Sequence, residues 1–156
     1  MDARTEFGQL VQQVAFFVGD RDLDAALAAD LNDAFGYGSE MHDSLGRLIH
    51  AGESEGWLLA REVGGIKFGR PVIPGREAGH FSVDVVHMAD IRGPHHIHVS
   101  GEIGVMFPLG GTPAFDGGRD AWYVYPPASD HHPTVSGGAA HILYFLPDGA
   151  IEFTGR

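Results

Sequence analysis

Twenty-three of the 156 residues are glycine, and where they stand constrains the fold more than any other feature of the chain. From Trp57 onward, Gly64-Gly65, Gly110-Gly111, Asp116-Gly117-Gly118, Gly137-Gly138 and Asp148-Gly149 separate short apolar runs. Glycine reaches the positive φ values that tight turns demand. Runs of four to eight residues between such turns read as strands. The pattern predicts strands over 57–62 and 66–68 joined as a hairpin, then over 81–88, 95–100, 103–109, 122–125, 141–146 and 151–154. Many short strands with glycine-rich turns suggest a barrel or a sandwich.

Before Trp57 the period is helical. Phe7, Leu10, Val11, Val14 and Phe17 or Val18 recur at three- and four-residue spacing, which places them on one helical face. A turn over 19–22 follows, and then Leu23, Leu27 and Leu31 lie four apart. Ser39 is a natural N-cap for a third helix carrying Met41, Leu45, Leu48 and Ile49, which Gly52 and Gly56 would end. The expectation is a mainly β single domain over 1–156. Residues 1–55 form a helical segment and 56–156 a β-barrel, with the helices outside the barrel or at a dimer contact.

The chain has no cysteine, so disulfides and thiolate metal sites are excluded. Any metal would sit on imidazole and carboxylate, and there are 10 histidines. A formal net charge of −11 argues against nucleic acid or an anionic membrane as a partner. No apolar run approaches a membrane span. The N-terminus lacks the basic-then-apolar order of a signal peptide, so a cytoplasmic protein is expected.

The chemistry concentrates in Gly93-Pro94-His95-His96-Ile97-His98-Val99-Ser100-Gly101-Glu102. Residues two apart in a strand share a side, so His96 and His98 would face one interior and His95 the other. Ser100-Gly101 can turn the chain and bring Glu102 back on a neighbouring strand. Two imidazoles and a carboxylate suit a borderline divalent metal: iron, manganese, nickel, cobalt or zinc. Further on, Tyr125-Pro126-Pro127-Ala128-Ser129-Asp130-His131-His132-Pro133 delivers His131 or His132 to the barrel mouth. His131 is preferred, because His132 precedes a proline and is conformationally restricted. Tyr123 and Tyr125 share a strand face just ahead of this turn. His132 reads as a surface residue or an outer neighbour of the metal site and His141 as a core or interface histidine, while His42, His50, His80 and His87 carry no motif. Arg61, Lys67 and Arg70 are candidates for binding a carboxylate.

His96-x-His98-x-x-x-Glu102 followed by Pro126-x-Ala128-x-x-His131 resembles the two cupin motifs, with Ala128 where glycine is usual. That likeness implies a jelly-roll barrel with His96, His98, Glu102 and His131 as metal ligands, in a protein that is commonly a homodimer. Gly56-Trp57-Leu58, the segments over 64–70 and 81–86, Gly93-Pro94-His95-His96, and the segments over 133–138 and 147–153 resemble the 4-hydroxylaminobenzoate lyase family. The resemblance runs from the first helix to the C-terminus. It implies conversion of 4-hydroxylaminobenzoate, a small aromatic substrate, to 3,4-dihydroxybenzoate with release of ammonia, in nitroarene breakdown. The family often has Arg, Asn and Asp where this chain has Ile97, Ser100 and Gly104.

On that reading Glu102 is a ligand rather than the general base, and Tyr123, Tyr125 or a bound hydroxide moves protons. Two alternatives stay open from the residues: an iron-dependent dioxygenase acting on a small aromatic or organic acid, and a non-enzymatic cupin that holds a small ligand. A metal-free isomerase is the weakest, because it has no need of the full His, His, Glu, His set.

Overall fold

The computed structural model describes residues 1–156. Three helices come first: α1 (Ala3–Val18), α2 (Ala25–Phe35) and α3 (Glu40–Glu55). Asp2, Asp24 and Ser39 cap them, their side-chain oxygens accepting from the backbone N–H of Thr5, Leu27 and His42, donors the helix itself cannot satisfy. Gly56 ends α3 in the left-handed region at φ 85°. Gly52 does not end it. It lies inside α3, where any Cβ would press on Trp57 and Leu58, so its smallness serves packing. Leu23 precedes the Asp24 cap and thus falls outside α2.

Nine strands follow: β1 (Arg61–Val63), β2 (Ile66–Val72), β3 (Phe81–Arg92), β4 (His96–His98), β5 (Glu102–Phe115), β6 (Trp122–Tyr125), β7 (Ser129–His131), β8 (Thr134–Pro147) and β9 (Glu152–Phe153). They form a six-stranded antiparallel sheet ordered β1-β2-β3-β8-β5-β6 and a three-stranded sheet ordered β7-β4-β9. The chain is thus mainly β with an N-terminal helical segment, as expected. The β1–β2 hairpin turns at Gly64-Gly65, but its first strand begins at Arg61, not Trp57.

Two glycine pairs expected at turns lie within long strands. β5 and β8 are each 14 residues and pair through Gly110↔Ala139 and Gly111↔Gly138, with register shifts on either side. A Cβ at Gly138 would strike the Gly110 carbonyl. Glycine is required there because the two backbones close tightly at a bulge, not because the chain reverses.

The large sheet has two unlike faces. Val83, Val85, Ile103, Val105, Leu143 and Phe145 pack against the helices in one core with Phe7, Val11, Val14, Leu27, Leu31, Leu45, Leu48 and Ile49. Burying each such aliphatic side chain contributes about 1.5–3 kcal/mol, which fastens the helical layer to the sheet. On the opposite face, Met88, Met106, Phe115, Ala140 and Ile142 form a second cluster flanked by Val86, Tyr123, Tyr125 and Tyr144. Strand alternation explains the division: in β3 the odd positions Val83 and Val85 go to the helices, and the even positions Val86 and Met88 go to the other side.

Polar pins reinforce the helical layer. Asn32 exchanges hydrogen bonds with the backbone of Trp122 at 3.0 and 2.8 Å, and the Trp122 indole donates to the Phe35 carbonyl. Glu53, near the end of α3, accepts from His87 Nδ1 at 2.7 Å and from His141 Nε2 at 2.9 Å. His87 and His141 stand directly opposite each other on β3 and β8. His141 is therefore a satisfied buried histidine. No helix is long and apolar enough to cross a membrane.

Candidate metal centre

Strand β4 places His96 and His98 on one side, and His95, just ahead of it, contacts Thr154 and Asp130 instead. β4 pairs with β7 in the register His96↔His131 and His98↔Ser129, which sets the third imidazole beside the first two. A turn with Gly101 at φ 93° returns the chain into β5, whose first residue is Glu102. A Cβ at Gly101 would collide with Leu23 and the Tyr125 carbonyl, so the tight return depends on glycine.

The four side chains converge. The Nε2 atoms of His96, His98 and His131 stand 3.1, 3.1 and 2.9 Å from one another. Glu102 Oε1 lies 3.4 Å from His98 Nε2 and 4.0 Å from His96 Nε2. His96, His98 and Glu102 are 6%, 1% and 2% exposed. No other group in the chain brings four nitrogen or carboxylate donors so close together.

The outer hydrogen bonds decide what the inner nitrogens present. Asp116 Oδ2 sits 2.6 Å from His131 Nδ1. A carboxylate only accepts, so Nδ1 carries the proton and Nε2 of neutral His131 is a bare lone pair. Ser129 Oγ donates its proton to the Pro126 carbonyl at 2.6 Å and so accepts from His98 Nδ1 at 2.9 Å, which leaves His98 Nε2 bare as well. Two lone pairs at 3.1 Å repel unless a cation lies between them. Burial and the neighbouring imidazoles push His98 down to about 3 and His96 to about 4, so a proton is a poor candidate for that cation near neutral pH. Three imidazole nitrogens and a carboxylate oxygen fit a divalent metal, with outer carboxylate and hydroxyl partners of the kind that orient ligating histidines. His96 Nδ1 is the one buried side-chain polar atom without a partner.

Burial drives the Glu102 carboxyl up to about 8, opposed by the 2.7 Å hydrogen bond it accepts from the Tyr123 hydroxyl. A bound cation would reverse that preference and hold it ionised. The Tyr123 hydroxyl is held protonated by its own burial, then by the Glu102 charge.

The centre opens into a cavity of about 560 Å³ between the two sheets. Ile66, Phe68, Val86, Met88, Phe115, Ile142 and Phe153 line its walls, and His96, Glu102, His131 and Tyr123 form its polar end. Tyr125 lies on the far side of His131. Its hydroxyl donates to Asp116, and it faces a shallower cleft. Of the basic residues singled out for a carboxylate, Arg70 is paired with Asp84 at 2.7 Å. Arg61 lines an adjoining cleft with Arg70, and Lys67 approaches Glu53 at 3.9 Å. The basic side chain in the cavity is Arg92. Asp116 and Ser129 were legible only as turn residues. Their hydrogen bonds to His131 and His98 come from strand pairing across distant segments, which spacing along the chain does not reveal.

A family model for 4-hydroxylaminobenzoate lyase (PnbB) matches residues 9–153. Two curated relatives carry the name 4-hydroxylaminobenzoate lyase. One, from Nocardioides sp. (strain LMS-CY), is 36% identical over 132 residues, covering 79% of this chain and 78% of its own. The other, from Pseudomonas putida, is 28% identical over 172 residues, covering 98% and 97%. Among solved structures, one reported for the DMSP lyases RdDddP and RnDddQII superposes on 98% of this chain and 100% of its own with a TM-score of 0.51 at 12% identity. An RmlC-like cupin from Ralstonia eutropha covers 58% of this chain and 60% of its own with a TM-score of 0.42 at 11% identity. The fold shared with the DMSP lyase structure has two sheets that face each other across the cavity without joining into one closed ladder.

Proposed function

The chain belongs to the 4-hydroxylaminobenzoate lyase family, and from that premise we propose that it converts 4-hydroxylaminobenzoate and water to 3,4-dihydroxybenzoate and ammonia, using a divalent metal held by His96, His98, Glu102 and His131. The observation that carries the metal requirement is the convergence of Nε2 lone pairs fixed by Asp116 and Ser129. The reaction adds water and expels ammonia with no net change of oxidation state, so it calls for no electron carrier. When bound, a divalent metal supplies Lewis-acid polarisation of an oxygen such as that of the N–OH group.

The chain's own groups account for the rest. The apolar walls of Val86, Met88, Phe115 and Ile142 hold an aromatic ring. Tyr123 keeps its proton on the hydroxyl and aims it at Glu102 Oε2, which orients that carboxylate. With that proton given to Glu102, the hydroxyl oxygen is left as an acceptor for a substrate N–H or O–H at the polar end of the cavity. Tyr125 acts at one remove, through Asp116 and His131.

The test is an anaerobic assay of the purified, metal-analysed protein with 4-hydroxylaminobenzoate. Equal yields of ammonia and 3,4-dihydroxybenzoate are expected, with none after chelation and recovery on adding metal back. Turnover that needs and consumes oxygen would replace the lyase reading with the dioxygenase one. A metal-loaded protein that binds but never turns over would point to a ligand-binding cupin.

A further inference from the structure

Of the residues lining the cavity, Arg92 is the single arginine or lysine. Its guanidinium contacts one side chain, His132, through Nη2 at 3.0 Å from Nδ1. No carboxylate lies within 4.0 Å of it, in a chain where 21 acidic residues outnumber 10 basic ones. Arg4, Arg21, Arg47, Arg70 and Arg156 each have an acidic partner; Arg61, Arg76 and Arg119 also lack one, but none of them lines this cavity.

The contact with His132 has a direction. His132 Nε2 lies 3.1 Å from the Arg156 carbonyl oxygen, which only accepts, so Nε2 carries the proton and Nδ1 is left as an acceptor. That acceptor receives an Arg92 N–H. One N–H of the fork is thereby anchored, and the others are left for a ligand. A planar guanidinium matches a carboxylate in a two-bond geometry.

We propose that Arg92, steadied by His132, is the anion-binding end of the cavity and takes the carboxylate of an aromatic acid whose opposite end meets His96, Glu102 and His131. The proposal rests on the lyase reading for the identity of the substrate, and it adds where that substrate's carboxylate is held. Arg61 and Arg70, in the adjoining cleft, are then not its partners.

The experiment titrates the metal-loaded protein with 4-hydroxybenzoate and, separately, with the uncharged 4-hydroxybenzamide. Wild type is compared with Arg92→Ala, Arg92→Lys and His132→Ala, with metal content and melting temperature recorded for each. Arg92→Ala is expected to weaken the acid at least tenfold and the amide less than twofold. Arg92→Lys should fall between, and His132→Ala should weaken the acid several-fold. With 4-hydroxylaminobenzoate, KM should rise more than kcat falls. Equal loss of acid and amide affinity, or unchanged acid affinity in a folded, metal-loaded Arg92→Ala, overturns the proposal. So does a wild type that does not distinguish acid from amide. Arg92-dependent binding of the acid without any turnover leaves the proposal standing and removes the lyase reading instead.

Discussion

Gly104 and Tyr123 stand opposite each other on β5 and β6, and the Tyr123 ring occupies the space a Cβ at position 104 would fill. The ring can lie against bare backbone only because position 104 has no side chain, and that placement brings its hydroxyl to Glu102. The φ of Gly104 is ordinary, so an alanine there meets no backbone strain and the whole conflict is steric. Gly104→Ala should therefore displace the ring, break the bond to Glu102 and destabilise by about 1–3 kcal/mol through overpacking. Tyr123→Ala in the same chain should recover part of that loss. A double-mutant cycle on melting temperature measures the coupling, and strict additivity would show that the two residues do not compete for space. An acid at 104, which the family pattern often carries, would need the same relief.

Asp116 is expected to matter for metal affinity although it holds no metal. It receives His131 Nδ1–H, the Tyr125 hydroxyl and the Thr134 N–H. Removing such an outer partner typically costs 10–100-fold in metal affinity. Asp116→Ala should fall in that range by competition with a chelator of known affinity. Ser129→Ala, which removes one hydroxyl from His98, should cost less. Unchanged affinity in Asp116→Ala would mean that the tautomer of His131 is set by something else.

The helical stripes and their caps were readable because periodicity and capping are local properties: Phe7, Val11, Val14 and Val18 are buried as spaced, and Ser39 caps as expected. The His96, His98, Glu102 and His131 quartet was readable in part for the same reason, since His96 and His98 share a face by strand alternation alone. What escaped was set by pairing between distant segments. Gly110-Gly111 and Gly137-Gly138 look like turns until β5 and β8 are laid side by side. Arg92 lies beyond the strand expected over 81–88, and it reaches the cavity only because β3 runs on to Arg92. The Glu53, His87 and His141 cluster joins a helix to two strands, and no window of sequence contains all three.

Mild acid should loosen the molecule outside the candidate metal centre as well. His42 is buried, stacks on Phe107 and contacts the Met106 carbonyl through Nε2 at 2.9 Å. His141 is buried against Glu53. Burial is the leading cause that lowers both pKa values below the imidazole norm of 6.5. Below that norm the unfolded chain takes up protons that the folded chain refuses, so stability falls as pH drops, until each folded pKa is reached. Glu53, held below the usual carboxylate range by its two histidines against the opposing effect of burial, adds a further loss as pH falls below about 4.5. Melting temperature from pH 7.5 to 5 should fall less steeply in His42→Gln than in wild type, both free of metal. Parallel curves would exclude His42 as a source of the slope.

The arrangement proposed to bind a metal should be a burden without one. Metal-free, the centre holds the bare Nε2 lone pairs of His98 and His131 3.1 Å apart, and His96 Nδ1 is buried with no partner. Replacing a buried unsatisfied polar group with an apolar one of similar shape is often neutral or stabilising, and active sites commonly give up stability in this way. In chelated protein, His96→Leu should therefore melt at or above wild type. Saturating metal reverses the order, because a ligand that binds only the folded chain adds about 4 kcal/mol at a thousand times its Kd. Wild type should gain that increment and His96→Leu little of it. The crossing of the two melting temperatures between chelator and metal is what separates a metal centre from a merely polar core. If His96→Leu melts below wild type under both conditions, the histidine cluster stabilises the fold by itself and the lone-pair argument for a metal loses its ground.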